Sequence, residues 1–255
     1  MPKFLFSASA VVAAIFLGSP AYASPFLVVT LQATGNFAET RTCSTFDAAS
    51  RTACTNNGFI IINNFNVRFS GQIGGFNAAI QGASSNSPGT ASEAFVNMSF
   101  ENLINERAGA GALFTLTGEG RGFTLPSGPL MSLFGSQASS SNNDPGSTMT
   151  STYYANASDL ATPIGAAGTV TTSCSYNLST SNDCPAPTVA WTRGVLPFSL
   201  ADTAQFLLTQ GQLGVNGSSN VVARNRVPEP MTTALVGLGL FGAALFSRRR
   251  KATQV

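Results

Sequence analysis

The sequence predicts an all-β protein, a single antiparallel sandwich or jelly-roll-like domain that lies between two apolar terminal segments. Three observations support this fold class: many short runs of β-branched and aromatic residues, clusters of Gly, Ser, Asn and Pro between them, and no long amphipathic helical pattern. The region between the terminal segments has about 200 residues, which is enough for one such domain. No repeat of about 20 to 50 residues is visible, so a solenoid is disfavoured.

The strands are predicted from their apolar periodicity. Phe65, Val67 and Phe69 alternate with polar residues, which is the period of a half-buried strand. In chain order the predicted strands are 26–32, 59–62, 65–70, 95–100, 113–117, 123–125, 147–154, 168–173, 189–200 and 206–213. Residues 82–91 and 136–146 have the composition of turns, and 136–147 is the best candidate for a flexible loop.

Three further segments complete the predicted organisation. Residues 102–112 have room for one short helix, and 220–226 are predicted to be a linker, so the β-rich extracellular domain is 24–219. The run Gly118-Glu119-Gly120-Arg121-Gly122 superficially resembles a phosphate-binding loop. Because no helix follows this run, it is predicted to be a turn that links two strands.

The N-terminal segment, residues 1–23, has the features of a signal peptide helix. Lys3 precedes an apolar run from Phe4 to Leu17, and Gly18-Ser19-Pro20 then breaks the helix. The pattern small-x-small at Ala21 and Ala23 predicts cleavage by signal peptidase before Ser24. The alternative is an uncleaved anchor helix.

The C-terminal segment, residues 227–251, has three parts in a fixed order. It begins with Val227-Pro228-Glu229-Pro230 and continues with an apolar run from Met231 to Phe246 that contains no charge. The basic cluster follows: Arg248, Arg249, Arg250 and Lys251. A helix over 231–247 would span a bilayer marginally, at about 1.5 Å per residue, and the basic cluster should stay cytoplasmic.

This order of parts resembles the PEP-CTERM sorting signal of Gram-negative bacteria. The resemblance is confined to the C-terminal segment and implies processing near the Pro-Glu-Pro motif by an exosortase, a membrane peptidase. It implies an exported protein that is anchored transiently in the inner membrane and then moves to the cell surface or the extracellular space. Its partners would be signal peptidase, the exosortase and extracellular polysaccharide. The alternatives are a permanent tail anchor and a buried core helix.

The charge of the body, residues 24–226, disfavours nucleic acid as a partner. The body has eight arginines, ten carboxylates and no lysine or histidine. Nucleic-acid binding depends on clustered Lys and Arg, which this composition lacks.

The four cysteines predict two disulfides. Export makes oxidation the default state, and proximity in the chain favours Cys43–Cys54 and Cys174–Cys184 among three connectivities. A zinc site is the alternative, but there is no histidine and no compact four-ligand spacing. We therefore predict no metal and no cofactor.

Catalysis is not predicted, because the absence of histidine excludes a Ser-His-Asp triad. Carboxylates that could serve a glycosidase are outside any recognisable motif: Glu93, Glu101, Glu106, Glu119, Asp144, Asp159 and Asp183. Residues 142–144 and 181–183 could offer oxygen ligands to calcium, but their spacing favours turns. Trp191 with Tyr153, Tyr154 and Tyr176 could form a platform for sugars, although a core Trp is favoured.

Three functions remain open at this point. The first is a non-enzymatic surface or matrix protein associated with polysaccharide, and the second is a carbohydrate- or ice-binding module. The second would need an ordered array of threonines or aromatics on one sheet face. Thr-x-Thr appears at Thr115 with Thr117 and at Thr148 with Thr150, but not as a repeat. The third is a glycan-active enzyme with paired carboxylates.

Overall fold

The protein is a β-sandwich in which two antiparallel sheets enclose one core. The computed structural model describes residues 26–140, 146–159, 166–178, 182–194, 197–211 and 214–226. The strands within these ranges are β1 (Phe26–Ala33), β2 (Glu39–Ser44), β3 (Phe59–Asn63), β4 (Asn66–Ile73), β5 (Phe76–Ser85), β6 (Glu93–Asn105), β7 (Leu113–Phe123), β8 (Leu130–Ser140), β9 (Thr148–Asn156), β10 (Thr169–Asn177), β11 (Asn182–Pro185), β12 (Val189–Thr192), β13 (Phe198–Leu207) and β14 (Val215–Asn225). One helix, α1 (Ala48–Asn56), lies between β2 and β3.

The two sheets differ in size and strand order. The six-stranded sheet has the order β10-β9-β13-β7-β1-β2, and the eight-stranded sheet has the order β11-β8-β14-β6-β5-β4-β3 with β12 also paired to β8. Alternation sets the two faces of each strand: in β6, Val96 and Met98 are buried in the core while Asn97 is exposed. The predicted all-β sandwich is therefore confirmed.

Glycines in β7 leave space for large side chains from the opposite sheet. A Cβ on Gly118 would lie 3.0 Å from the Sδ of Met98. Gly118, Gly120 and Gly122 thus belong to the continuous strand β7, and the predicted turn around Glu119 and Arg121 is wrong. Glycine inside a strand marks a place where another group approaches closely, and composition alone does not distinguish this from a turn.

Four other predicted segments, a linker, a helix and two turns, differ from the structure. Residues 220–225 form the second half of β14, between β8 and β6, so they are part of the domain and not a linker. The helix predicted at 102–112 is absent from that described stretch, where β6 continues to Asn105. β5 runs to Ser85 and β8 to Ser140, so both strands enter segments with a turn-like composition. Where these segments are strands, pairing in a sheet overrides the local preference of Ser, Asn and Gly.

The two disulfides are Cys43–Cys54 and Cys174–Cys184. The first joins β2 to α1, whose N-cap Asp47 accepts a hydrogen bond from the Ser50 amide at 2.7 Å. The second joins β10 of the six-stranded sheet to β11 of the eight-stranded sheet. This bond therefore closes one edge of the sandwich covalently.

The two terminal signals lie outside the described residues. They comprise the signal peptide with its cleavage site before Ser24, the Val227–Pro230 motif, the span 231–247 and the basic cluster 248–251. In the described part of the chain no helix is long and apolar enough to cross a membrane.

Candidate ligand-binding face

Pairing within the six-stranded sheet places threonines from different strands side by side on its outer face. The outward residues of neighbouring strands are direct cross-strand partners, so they form rows that run across the sheet. The first row, in strand order from β2 to β10, is Thr42, Thr30, Thr117, Thr203, Thr152 and Ser173. The second row is Thr40, Gln32, Thr115, Gln205, Thr150 and Ser175. We call these twelve residues the threonine face.

The threonine face is a regular array of hydroxyl, methyl and amide groups without any charge. Neighbouring strands are about 4.8 Å apart, so each row is about 24 Å long, and the two rows are about 6.8 Å apart. Hydroxyl pairs within the rows are hydrogen bonded: Thr30 with Thr42 at 3.2 Å, and Thr117 with Thr203 at 3.2 Å. These contacts hold the four hydrogen-bonded side chains in defined rotamers.

Sequence reasoning missed this face for a specific reason. Members of the face that are close in the chain, such as Thr115 with Thr117 and Thr150 with Thr152, occupy one strand each and so give no row. The other members come from β1, β2, β10 and β13, and the strand register that aligns them is set by long-range pairing.

A buried ion pair lies next to the threonine face. Glu119 projects outward from β7 in the row beyond Thr117, and its Oε1 is 2.5 Å from the Nε of Arg121. Burial raises the pKa of Glu119 to about 7, against the lowering effect of Arg121, while the carboxylate of Asp159 raises it further. Asp159 accepts a hydrogen bond from the Gly122 amide at 2.8 Å, and burial raises its pKa.

The carboxyls of Glu119 and Asp159 do not open into one cleft. A cleft of about 440 Å³ nearby is lined by Asp159 and Arg121 together with Phe26, Val28, Ser44, Phe46 and Ser50. Glu119 does not line this cleft, and its side chain is only 6% exposed because Arg121 covers it. A glycosidase needs both carboxyls at the scissile bond, and this arrangement does not offer that.

The other candidate carboxylates are dispersed. Glu93 forms an exposed ion pair with Arg224 at 2.9 Å, and Glu106 accepts hydrogen bonds from Gln72 and Asn77. Glu101 is exposed on β6, and Asp183 lies at the edge strand β11. Asp144 and residues 142–143 are outside the described residues. Among the residues that are described, no three His, Cys, Asp or Glu side chains come close enough to hold a metal ion.

The aromatic platform predicted as an alternative does not form. Trp191 is buried in β12, where its ring packs edge-on against Phe198 with centroids 5.5 Å apart. Tyr153 and Tyr154 are consecutive residues of β9, so they point to opposite faces, and Tyr153 is fully buried. Tyr176 donates a hydrogen bond to Ser139 at 2.6 Å. The favoured interpretation of a core Trp is therefore correct.

A carboxyl that sequence analysis did not single out lies between the two sheets. Asp202 of β13 is fully buried and accepts a hydrogen bond from the Ser219 hydroxyl of β14 at 2.9 Å. The hydroxyls of Ser151 and Tyr153 surround Ser219 at 3.2 and 3.5 Å. Burial raises the pKa of Asp202 well above its ordinary value, because the charged form is poorly solvated there. This carboxyl is inaccessible to a ligand, so we expect it to affect the stability of the folded protein.

Replacing Asp202 with Asn should make the protein more stable relative to wild type as the pH rises. Above about pH 4 the unfolded wild-type chain ionises at Asp202 while the folded chain stays neutral, so wild type loses about 1.4 kcal/mol per pH unit until the folded pKa is reached. The Asn variant lacks this loss and keeps an acceptor for Ser219. The pKa of Glu119 is also raised in the folded state, so Glu119 lowers stability as the pH rises in both proteins and does not account for the difference between them. Urea unfolding of both proteins at several pH values between 4 and 7 measures the difference, and a difference that is independent of pH would contradict the prediction.

Comparison with known proteins identifies the C-terminal segment of the chain. The PEP-CTERM protein-sorting motif matches residues 226–251. No curated protein sequence matches the chain. Seventeen chains of solved structures match it, and one belongs to a study of carbohydrate-binding modules of the β-sandwich superfamily. That chain is 13% identical to this one, and the match covers 79% of this chain and 73% of that chain. The TM-score is 0.23, so the similarity is too low to indicate a shared fold or function.

The matched motif identifies the C-terminal segment of the chain as a sorting signal. The chain carries a PEP-CTERM sorting signal, which implies export, transient membrane anchoring and processing by an exosortase. The predicted resemblance is confirmed for the C-terminal segment.

Proposed function

We propose that the processed body is a non-enzymatic protein of the cell surface or extracellular matrix that binds neutral polysaccharide through the threonine face. The observation that carries this proposal is the pair of six-residue rows of uncharged hydroxyl and amide side chains across six strands. Sugar hydroxyls both donate and accept hydrogen bonds, as do Thr, Ser and Gln. The threonine methyl groups offer apolar contact to the C–H faces of the sugar rings.

The spacing of the face suits an extended glycan. A position that bears a hydroxyl or amide group recurs about every 4.8 Å along a row, which is comparable to the length of one pyranose unit in an extended chain. The two rows lie side by side, so a chain that runs across the strands meets side chains on both of its edges. The sorting signal supports this proposal because it implies delivery to the cell surface, where polysaccharide is the abundant polymer.

Ice is the second candidate ligand, since regular threonine rows on a sheet also suit a crystal surface. Neighbouring strands of a sheet are rotated by about 20 to 25°, and this rotation accumulates across six strands. An ice plane is flat, whereas a flexible glycan can follow the twist. The geometry therefore favours polysaccharide over ice.

Binding to neutral polysaccharide should be insensitive to salt. We expect the processed body, purified after export, to be retarded in affinity electrophoresis gels that contain dextran or hydroxyethylcellulose. Because the face has no charge, retardation should hold from about 0.05 to about 0.5 M NaCl. Retardation only by acidic alginate, and only at low salt, would contradict the proposal. Inhibition of ice recrystallisation without any glycan binding would favour the second candidate.

A further inference from the structure

The outer face of the eight-stranded sheet carries a second array, made of amide and hydroxyl side chains. One residue from each of five neighbouring strands is the direct cross-strand partner of the next. In strand order from β4 to β8 these residues are Asn66, Ser84, Asn97, Asn220 and Ser136. We call them the amide row. Asn220 projects outward because its neighbour Ser219 points into the core toward Asp202.

A groove of about 460 Å³ lies along one end of the amide row. It is lined by Asn97, Ser136 and Asn220 of the row, by Ser218, and by Asp183 at the edge strand β11, together with the adjoining backbone. Asn97, Ser136 and Asp183 are exposed, so the groove is open to solvent and to a polymer.

Two oxygen atoms of the amide row are buried without a donor. The Oδ1 atoms of Asn220 and Asn66 have no hydrogen-bond partner among the described residues. Leaving a buried acceptor unpaired costs about 1 to 3 kcal/mol. Of the two residues only Asn220 lines the groove, so an occupant that donates a hydrogen bond to its Oδ1 would recover this free energy there. Gly82 of β5 lies between Asn66 of β4 and Ser99 of β6, and a Cβ there would lie 3.7 Å from each side-chain oxygen.

The chemistry of the groove selects a neutral, donor-rich occupant. Its lining offers amide, hydroxyl and carboxylate oxygens, and Asp183 is the one ionisable group among the lining residues. Asp183 and the unpaired Oδ1 of Asn220 would repel an anion. A single carboxylate provides a weak site for calcium, which prefers several. The hydroxyl groups of a saccharide can donate to the unpaired Asn220 oxygen and accept hydrogen bonds from the amide and hydroxyl groups of the lining.

We propose that this groove is a second saccharide site, so that one monomer holds two polysaccharide chains on opposite faces of the sandwich and cross-links them. This inference rests on the proposed function of the threonine face. The two sites lie on the outer faces of different sheets, and the core separates them. One chain therefore cannot reach both faces without wrapping around an edge.

The double substitution Asn97→Ala and Asn220→Ala tests the groove. We expect the wild-type processed body, monomeric by light scattering, to raise the scattering of a dilute dextran or hydroxyethylcellulose solution. The variant should lose this increase and bind a short oligosaccharide of the same polymer about tenfold more weakly at the groove. Its retardation in affinity gels should persist, because the threonine face is intact. Its resistance to unfolding should be unchanged or higher, because an unpaired buried acceptor has been removed.

A matched variant and three outcomes make the test decisive. Ser70→Ala changes an exposed position of β4 on the same face but outside the groove, and it should cross-link as wild type does. Cross-linking by the double variant equal to wild type would overturn the proposal, as would cross-linking that requires calcium. Failure of wild type to be retarded by any polymer would instead overturn the proposed function itself.

Discussion

Replacing Pro228, Glu229 and Pro230 together with alanine is expected to keep the full-length chain in the membrane fraction. These residues lie within the matched sorting motif, which implies processing by an exosortase, and we expect the enzyme to recognise the chain at this point. The apolar run and the basic cluster remain, so anchoring should persist while release is lost. Mass spectrometry of the membrane and released fractions should show the released form falling to background.

The matched control for the sorting variant lies in the same tail. Thr253→Ala with Gln254→Ala changes residues beyond the matched segment 226–251, and release should be as in wild type. Release of the alanine motif variant at the level of the control would contradict the prediction and show that another protease removes the tail. No release from wild type or from either variant would show that the tail acts as a permanent anchor.

Replacing Thr30 and Thr152 with lysine is expected to abolish retardation by neutral polysaccharide. Both residues lie in the first row of the threonine face, on β1 and β9, with the buried Thr203 between them. Each lysine removes a hydroxyl and places a long, strongly hydrated ammonium group across the path of a bound chain. We expect binding to fall at least about tenfold, and the free energy of unfolding to change by about 1 kcal/mol or less.

The control for the lysine variant adds the same charge elsewhere. Ser70→Lys with Thr209→Lys places two lysines at exposed positions outside the threonine face and the amide row. Binding by this variant should match wild type. If both lysine variants lose binding equally, the effect is one of net charge and not of the face.

The fold class was predictable because it depends on local alternation. Val67 and Phe69 point inward and Arg68 points outward, as the alternation around them predicts. Local composition did not predict the structure where a strand is stabilised by pairing with neighbouring strands. β14 continues through Asn220 to Asn225 because β6 and β8 pair with it on both sides, although its polar residues suggested a linker.

The candidate site could not be predicted because it depends on register. Thr117 and Thr203 are 86 residues apart in the chain, yet their hydroxyls are hydrogen bonded. A shift of one residue in any of the six strands would turn its threonines into the core. The sorting signal, in contrast, could be predicted from the sequence, because its parts are contiguous from Val227 to Lys251.

The most direct test of the account is an NMR titration of the processed body with methyl-labelled threonine and dextran or hydroxyethylcellulose. Threonines outside the face, such as Thr52 in α1 and Thr192 in β12, serve as internal references. The account predicts that the methyl signals of Thr30, Thr117 and Thr152 move or broaden while the references stay unchanged. Movement confined to the references, or no movement with any neutral polysaccharide, would contradict the claim that the register of these six strands builds a glycan-binding face.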